Sequence, residues 1–186
     1  MPVPTPGFIA GPDVPELERK LARKKVQGWS REHKLRTFSQ GSGRIGESLH
    51  KFPRNMWVFK PAKNKWCVGE VLWHLADQEA NLYVRLRRAV AESGGMVSPY
   101  DQDKWSAGLS YLKSDFDEAW HILKLLRYSN VNLLKKLPPS GWKKYVKHPE
   151  WGKLTIEYLV GLNIWHLEHH LGQMAKRYIE WKARQK

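Results

Sequence analysis

Four stretches with helical periodicity constrain the fold of this chain more than any other sequence feature. In each stretch, apolar residues recur at steps of three and four, the pattern of a helix that packs one face against a core. The predicted helices cover approximately residues 35–52, 67–92, 114–137 and 155–182. Four helices of this length, joined by loops, predict an all-α four-helix bundle.

The ends of the predicted helices carry capping and stop signals. Cys67 occupies the N-cap position of the second helix and Glu70 its third helical position, as in a capping box. Ser114 is predicted to cap the third helix, which Pro138 and Pro139 end. The connections between the helices are predicted to be loops, because the sequence contains no β-hairpin signal and no internal repeat.

The N-terminal residues differ in composition from the rest of the chain. Residues 1–15 contain five prolines and are predicted to be extended, whereas residues 14–26 can form a short basic helix. We therefore divide the chain into a Pro-rich, basic N-terminal arm (1–30) and a four-helix bundle (31–186).

The composition restricts the class of protein. The formal net charge is +14, from 32 Lys and Arg against 18 Asp and Glu, a balance that suits nucleic acid, an anionic membrane surface or acidic small molecules. The charge is spread along the chain, so a solvated, lysine-rich surface explains it more simply. No apolar run reaches the roughly 20 residues that span a bilayer, and no signal peptide is recognisable. Because the single Cys67 also excludes an intramolecular disulfide, we predict a cytoplasmic protein.

Three histidines lie close together in the last predicted helix, in the segment WHLEHH. His166 and His170 are four residues apart and therefore share one helix face with apolar residues that face the core. His169 lies to one side of this pair, and Glu168 is predicted to point away from the core. The spacing alone is explained by a metal site, by a catalytic base or by packed, hydrogen-bonded histidines.

A polar stripe lies on the second predicted helix. His74, Gln78, Asn81 and Arg85 follow one another at steps of four, three and four beside an apolar face. Polar side chains are costly to bury without partners, so this stripe predicts a polar site inside the bundle. One histidine from this helix and two from the last could present three nitrogen ligands to one cation and leave a position open. Such an open arrangement is typical of catalytic metal sites.

Three segments together resemble the DinB/YfiT-like superfamily: WCVGEVLWHLADQEANLYVRLRRAV, YDQDKW and HPEWGKLTIEYLVGLNIWHLEHHLGQM. The resemblance covers about residues 34–180. It implies a four-helix bundle with a divalent metal ion, usually zinc or nickel, and it implies His74, His166 and His170 as the ligands. It further implies membership among metal-dependent hydrolases, bacillithiol-using thiol S-transferases or thiol-dependent isomerases, and the formation of homodimers.

Other residues near the implied ligands have alternative interpretations. Asp77 matches an acidic position of the family motif and is interpreted as a residue that orients a ligand imidazole or moves a proton. Glu79 is interpreted as a surface carboxylate paired with Lys or Arg. Arg85 is interpreted either as a binding residue for a substrate anion or as part of an ion pair inside the bundle. Cys67, where the family has Ser or Thr, lies about two turns from His74 and is not proposed as a nucleophile.

Two functional hypotheses follow. The first is a metal-dependent enzyme in which the open metal position activates water for hydrolysis, or a low-molecular-weight thiol for transfer to a small-molecule substrate. The second is a basic nucleic-acid-binding module, in which residues 1–36 bind DNA or RNA and the metal ion is structural. The second hypothesis predicts binding that weakens steeply with salt.

Overall fold

Residues 16–185, which the computed structural model describes, form a helical protein with one small β-hairpin. In chain order, the elements are α1 (Glu16–Gln27), α2 (Arg31–Lys51), α3 (Val68–Ala91), α4 (Gln102–Gly108), α5 (Phe116–Lys135), β1 (Tyr145–His148), β2 (Gly152–Thr155) and α6 (Ile156–Ala183). Short 3-10 turns precede α3, α5 and β1. The extended conformation predicted for residues 1–15 concerns a segment outside the described residues.

The four long helices form the predicted bundle. Helix α3 packs against α5 and α6, and α2 packs against the same two helices, so that each helix has two bundle neighbours. The apolar side of each helix is buried, as Phe38, Ile45 and Leu49 of α2 illustrate. The predicted fold class is therefore confirmed. Within residues 16–185, no helix combines the length and the hydrophobicity needed to cross a membrane.

Helix α1 packs on the outside of α6. Val26 of α1 is buried, and the Gln27 side chain donates to the Tyr158 carbonyl at 3.2 Å. Lys34 of α2 donates to the Gln27 carbonyl at 2.8 Å and to the Glu157 carboxylate at 2.9 Å. The short basic helix predicted for this region is present, and these contacts hold it beside the last helix of the bundle. The division into an arm and a bundle stays a prediction.

The capping prediction is right for α3 and wrong for α5. The Cys67 N–H donates to the Glu70 carboxylate at 2.9 Å, as in a capping box. The N-cap of α5 is Asp115, whose carboxylate accepts from the Asp117 N–H at 2.8 Å, while Ser114 donates to carbonyls of the preceding turn. Aspartate and serine are similarly good N-caps, so the sequence Ser114-Asp115 does not determine which of the two residues begins the helix.

A β-hairpin occupies the connection between α5 and α6, where the sequence analysis predicts a loop. Strand β1 pairs antiparallel with β2, and the opposed Val146 and Leu154 are both buried. Gly152 has a φ of 67°, a backbone conformation that favours glycine. The prediction of no hairpin is wrong because each strand has only four residues, too few to show alternation clearly. The loop predicted between α3 and α5 likewise contains the short helix α4.

Two apolar clusters form the core, and a polar layer separates them. Along α3, one cluster ends at Ala76 and the other begins at Leu82; along α6, the boundary lies between Ile164 and Leu167. We call the residues between the clusters the polar layer, and it comprises Glu79 of α3, Arg127 of α5 and His166 of α6. The bundle therefore carries charged and titratable groups across its middle, and these must find partners inside the protein.

Candidate metal centre

Three histidine side chains from two facing helices meet at one point. His74 lies on α3, and His166 and His170 lie one turn apart on α6. The His166 Nε2 atom is 3.0 Å from Nε2 of His74 and 3.1 Å from Nε2 of His170. Within residues 16–185, no other group of three His, Cys, Asp or Glu side chains brings its ligand atoms together in this way. The structure thus places side by side the three histidines that the resemblance implies as ligands.

Neighbouring side chains fix the orientation of these rings. The His170 Nδ1 atom lies 2.8 Å from Gln173 Oε1, which can only accept a hydrogen bond. His170 in its neutral form therefore carries its proton on Nδ1 and directs the lone pair of Nε2 toward the cluster. The His74 ring packs against the Trp66 ring, with centroids 5.0 Å apart.

The three imidazoles are held in their neutral form. Burial lowers the pKa of His74 to about 4. Burial also lowers the pKa of His166 and of His170 well below the ordinary histidine value, and the neighbouring histidines lower them further. A charged ring would lose its hydration and be repelled by any second charged ring. Neutral imidazole is the form that binds a metal ion.

The donor set fits a divalent transition-metal ion. Three nitrogens at the usual zinc–nitrogen distance of about 2.0–2.1 Å in a tetrahedral arrangement stand about 3.3 Å apart. The two distances that involve His166, 3.0 and 3.1 Å, are close to this value, and all three ligand atoms lie within 4.8 Å of one another. Hydrogen bonds alone satisfy the cluster poorly, because a proton on His166 Nε2 can point at only one of its two neighbours. A cation between the three nitrogens would give every Nε2 lone pair a partner.

Asp77 lies three residues from His74 and is held by a tyrosine. The Tyr111 hydroxyl donates to the Asp77 carboxylate, and the Tyr111 ring packs beside Trp73 with centroids 6.1 Å apart. Asp77 is half-buried, and burial raises its pKa. Its partner in the structure is therefore Tyr111, and a role for Asp77 in orienting a ligand or moving a proton stays a prediction.

Two other acidic residues are buried, although the sequence analysis places them outside the core. Glu79 accepts two hydrogen bonds from Arg127, at 2.9 and 2.7 Å, and Glu168 forms a two-bond ion pair with Arg44. Both carboxylates are nearly inaccessible to solvent. The interpretation of Glu79 as a surface residue and of Glu168 as pointing away is wrong. The arginines come from neighbouring helices, whose positions one helix's periodicity does not reveal.

A cavity of about 410 Å³ opens beside the histidines. Its walls include His74 and His166 together with Gln78 and Arg85 of the polar stripe. Asn81, the fourth residue of the stripe, lines a second cavity of about 320 Å³, which Arg85 also lines. The stripe therefore lines a polar site inside the bundle, as its sequence pattern predicts.

The polar wall of the 410 Å³ cavity continues through a chain of hydrogen bonds. The Tyr100 hydroxyl donates to Gln78 Oε1 at 2.7 Å, and Gln78 Nε2 donates to Asn163 Oδ1 at 3.2 Å. Burial raises the pKa of Tyr100 to about 12, so its phenol stays protonated. Tyr100 is not among the residues predicted for the site, although it is the first residue of the YDQDKW segment that carries part of the family resemblance.

Further residues of the cavity come from segments that the sequence analysis does not connect with the histidines. Arg23 belongs to α1, His148 ends β1, and Trp151 lies in the turn of the hairpin. Their positions depend on how α1 and the hairpin pack beside α6, which no local pattern reports. Cys67, by contrast, is buried, and burial raises the pKa of its thiol to about 11. It is therefore a protonated, inaccessible thiol, consistent with its exclusion as a nucleophile.

A known protein family matches the larger part of this chain. A family model described as "DinB superfamily" matches residues 38–174. A protein of Oceanobacillus iheyensis named "Putative metal-dependent hydrolase" is 32% identical over 110 residues, which cover 59% of this chain and 63% of that protein. A protein of Bacillus mycoides with the same description is 35% identical over 110 residues, with the same coverage. The alignment thus spans a little less than two thirds of these two relatives.

Comparison with solved structures supports the fold. YfiT from Bacillus subtilis, reported as "a probable metal-dependent hydrolase with an unusual four-helix bundle topology", superposes with a TM-score of 0.73. The match covers 85% of this chain and 90% of YfiT, at 23% sequence identity. At that identity the similarity establishes a shared architecture, including the bundle and its helix order.

Proposed function

We propose that this chain, which belongs to the DinB superfamily, is a metal-dependent enzyme in which His74, His166 and His170 bind one divalent ion. The observation that carries the proposal is the convergence of three Nε2 atoms, within 4.8 Å of one another, beside a cavity. Zinc or nickel is the ion we expect, because both accept imidazole ligands.

The metal ion and the residues around it would have different roles in catalysis. An ion held by three protein ligands keeps a position for water or a thiol, makes that molecule more acidic and polarises the bond under attack. Gln173 holds the His170 ring with its Nε2 lone pair toward the cluster. Arg85 offers positive charge for a substrate anion in the cavity. For Asp77, three residues from His74, we propose the role of orienting a ligand imidazole or moving a proton.

Hydrolysis of a small-molecule substrate is the activity that we propose to test first. The names of the relatives from Oceanobacillus iheyensis and Bacillus mycoides support hydrolysis. Transfer of a low-molecular-weight thiol is the second possibility, because it begins with the same deprotonation beside the metal ion. Homodimer formation and a cytoplasmic location stay predictions from the sequence.

Metal content tests the proposal directly. Elemental mass spectrometry of the tag-free chain should find about one zinc or nickel ion per chain after reconstitution. His74→Ala and His166→Ala should each lose the ion, whereas His121→Ala, an exposed histidine of α5, should retain it. A wild-type chain that takes up no metal after reconstitution would show that these are packed core histidines.

The hydrolase and transferase hypotheses differ in whether turnover needs a low-molecular-weight thiol. A hydrolase should turn over a panel of activated esters and amides without any thiol, whereas a transferase should need a low-molecular-weight thiol and form a thioether product. Both reactions should stop in the presence of a chelator and resume when metal is restored. Turnover with water alone would exclude the transferase version.

The alternative, nucleic-acid binding through residues 1–36, has the net charge of +14 in its favour. Two basic residues of this segment, however, are engaged inside the protein. Arg23 donates to the Tyr158 hydroxyl, and Lys34 is buried against Glu157. A gel-shift titration with DNA and RNA, repeated at rising salt, tests the alternative. Absence of any shift at low salt would remove it.

A further inference from the structure

Helix α1 closes one side of the cavity beside the histidines and lies outside the segment that the family model matches, residues 38–174. Arg23 is the α1 residue that lines the cavity. Its guanidinium donates to the Tyr158 hydroxyl and lies over two aromatic rings, 5.5 Å from the centroid of Tyr158 and 5.9 Å from that of Trp151. Rings from α6 and from the hairpin turn therefore hold this cation in place at the cavity wall.

Arg85 of α3 supplies a second cation to the cavity wall. Its side chain is buried, with 7% exposed, and Nη2 donates to the Ser98 carbonyl at 3.1 Å. Among the described residues, no carboxylate lies within ion-pair distance of Arg85. The other buried arginines among the described residues, Arg127 and Arg177, contrast with it, because Arg127 is paired with Glu79 and Arg177 with Glu180. A buried cation without a counter-ion is costly to maintain, which points to an anion that arrives from outside.

The remaining walls are suited to an organic molecule and not to a bare ion. Tyr100, Trp151, Trp165 and Leu162 line the cavity, and its volume of about 410 Å³ lies within the range of small-molecule sites. Among the lining residues that the structure describes, Glu150 is the one carboxylate, and it is exposed. With the histidines neutral, the described lining residues carry two arginines against one glutamate, which is a positive balance.

We propose that this cavity binds a small organic anion, with an aromatic or apolar body, whose carboxylate or phosphate group is held by Arg85 and Arg23. Helix α1 thereby becomes part of the substrate site and helps to determine its specificity. The inference rests on the proposed function in one respect, namely that the bound anion is the substrate of the metal centre. Anion binding itself needs only the two arginines and the aromatic walls.

Calorimetric titration of the full-length chain tests the proposal, with benzoate and phenyl phosphate as anionic probes and benzamide as the neutral probe of matched shape. At least one anion should bind about 10-fold or more tighter than benzamide, the ratio expected from charge-assisted hydrogen bonds. The comparison of benzoate with phenyl phosphate shows which anionic group the site prefers. Equal binding of all three probes, or no binding of either anion, would overturn the proposal.

Substitution of Arg23 and Arg85 tests whether these residues bind the anion. Arg23→Gln and Arg85→Gln should each weaken anion binding by about 10-fold, while Lys24→Gln, an exposed residue next to Arg23 on α1, should leave it unchanged. Arg85→Lys, which keeps the charge, serves if Arg85→Gln does not fold, and should bind anions with intermediate strength. Wild-type affinity in both Arg23→Gln and Arg85→Gln would refute the assignment.

A parallel titration in the presence of a chelator separates this proposal from the metal centre. Anion binding that survives chelation and depends on the arginines supports the anion site, even if metal analysis refutes the metal proposal. Anion binding that disappears with the metal and is indifferent to both arginine substitutions would place the anion on the metal ion and overturn the inference.

Discussion

Replacing Arg127 by methionine should cost this protein much of its stability. The Arg127 guanidinium donates to both oxygens of Glu79, at 2.9 and 2.7 Å, and to the Phe38 carbonyl at 3.0 Å. Only 3% of Arg127 and 1% of Glu79 are exposed. Arg127→Met leaves the Glu79 carboxylate buried with Asn130, at 2.8 Å, as its remaining partner. Removing one member of a buried ion pair costs about 3–5 kcal/mol, and we expect a loss of this size in the free energy of unfolding.

A second ion pair in the same protein provides a matched control. Arg54 binds Asp117 with the same two-bond geometry, at 2.9 and 2.7 Å, but the two side chains are 54% and 58% exposed. Water hydrates both groups when the pair is broken, so Arg54→Met should cost only about 0–1 kcal/mol. The two substitutions differ in burial while the hydrogen-bond distances are alike.

Urea unfolding followed by circular dichroism measures both losses on one scale. A third variant, Glu79→Leu with Arg127→Met, should recover most of the stability that Arg127→Met loses, because apolar residues of similar volume need no charged partner. Similar losses for Arg54→Met and Arg127→Met would refute the argument from burial. Failure of the double variant to recover any stability would show that the contacts of Arg127, and not the orphaned carboxylate, dominate.

Three further predictions concern the metal centre and its surroundings. Gln173→Leu removes the acceptor of the His170 Nδ1 proton, and should weaken metal binding about 10- to 100-fold in competition with a chromophoric chelator. Because the pKa of His74 is lowered to about 4 in the folded chain, the unfolded chain takes up the proton first. In the metal-free protein His74 alone should contribute a loss of up to about 3 kcal/mol of stability as the pH falls from about 6.5 to 4, measured by urea unfolding, and His166 and His170, whose pKa values are also lowered, should add to it. Gly69→Ala should lower the melting temperature, because a Cβ there would overlap the Phe116 ring.

Each of these predictions has a control within the chain. Gly43 lies on helix α2, and a Cβ added there would meet no neighbouring atom within 4 Å. Gly43→Ala should therefore stabilise the protein by about 0.5–1 kcal/mol, because alanine has the higher helix propensity. If Gly69→Ala behaved in the same way, the overlap argument would fail. The loss of stability between about pH 6.5 and 4 should be smaller in His74→Gln than in the wild type. An equal loss in both proteins would show that other groups cause it. Without metal, Gln173→Leu should lose about 1–3 kcal/mol of stability, because the His170 Nδ1 proton is left buried without an acceptor. Unaltered metal affinity in this variant would refute the orienting role of the hydrogen bond.

Local spacing made the bundle and the histidine pair predictable. The periodicity of four stretches indicates four helices, and His166 and His170 share a face because a helix returns to the same side after four residues. The stripe that includes His74, Gln78 and Arg85 follows the same rule, and these residues do line the cavity. These features lie on single helices, so one helix's geometry suffices to place them.

The tertiary structure decided every feature that depends on a partner distant in the chain. Glu79 and Arg127 are separated by 48 positions, Arg44 and Glu168 by 124, and Arg23 meets Tyr158 across 135. Helical periodicity reports which side of a helix carries charge, but the identity of the neighbouring helix decides whether that charge is solvated or paired.

The same physical reason accounts for what the sequence analysis missed. The hairpin exists because Val146 and Leu154 are covered by helices that precede and follow it, and Arg23 reaches the cavity because α1 docks on α6. Sequence patterns determined the helices and the three candidate ligands. Packing between distant segments determined which charges are buried, where the cavity opens and which residues surround it.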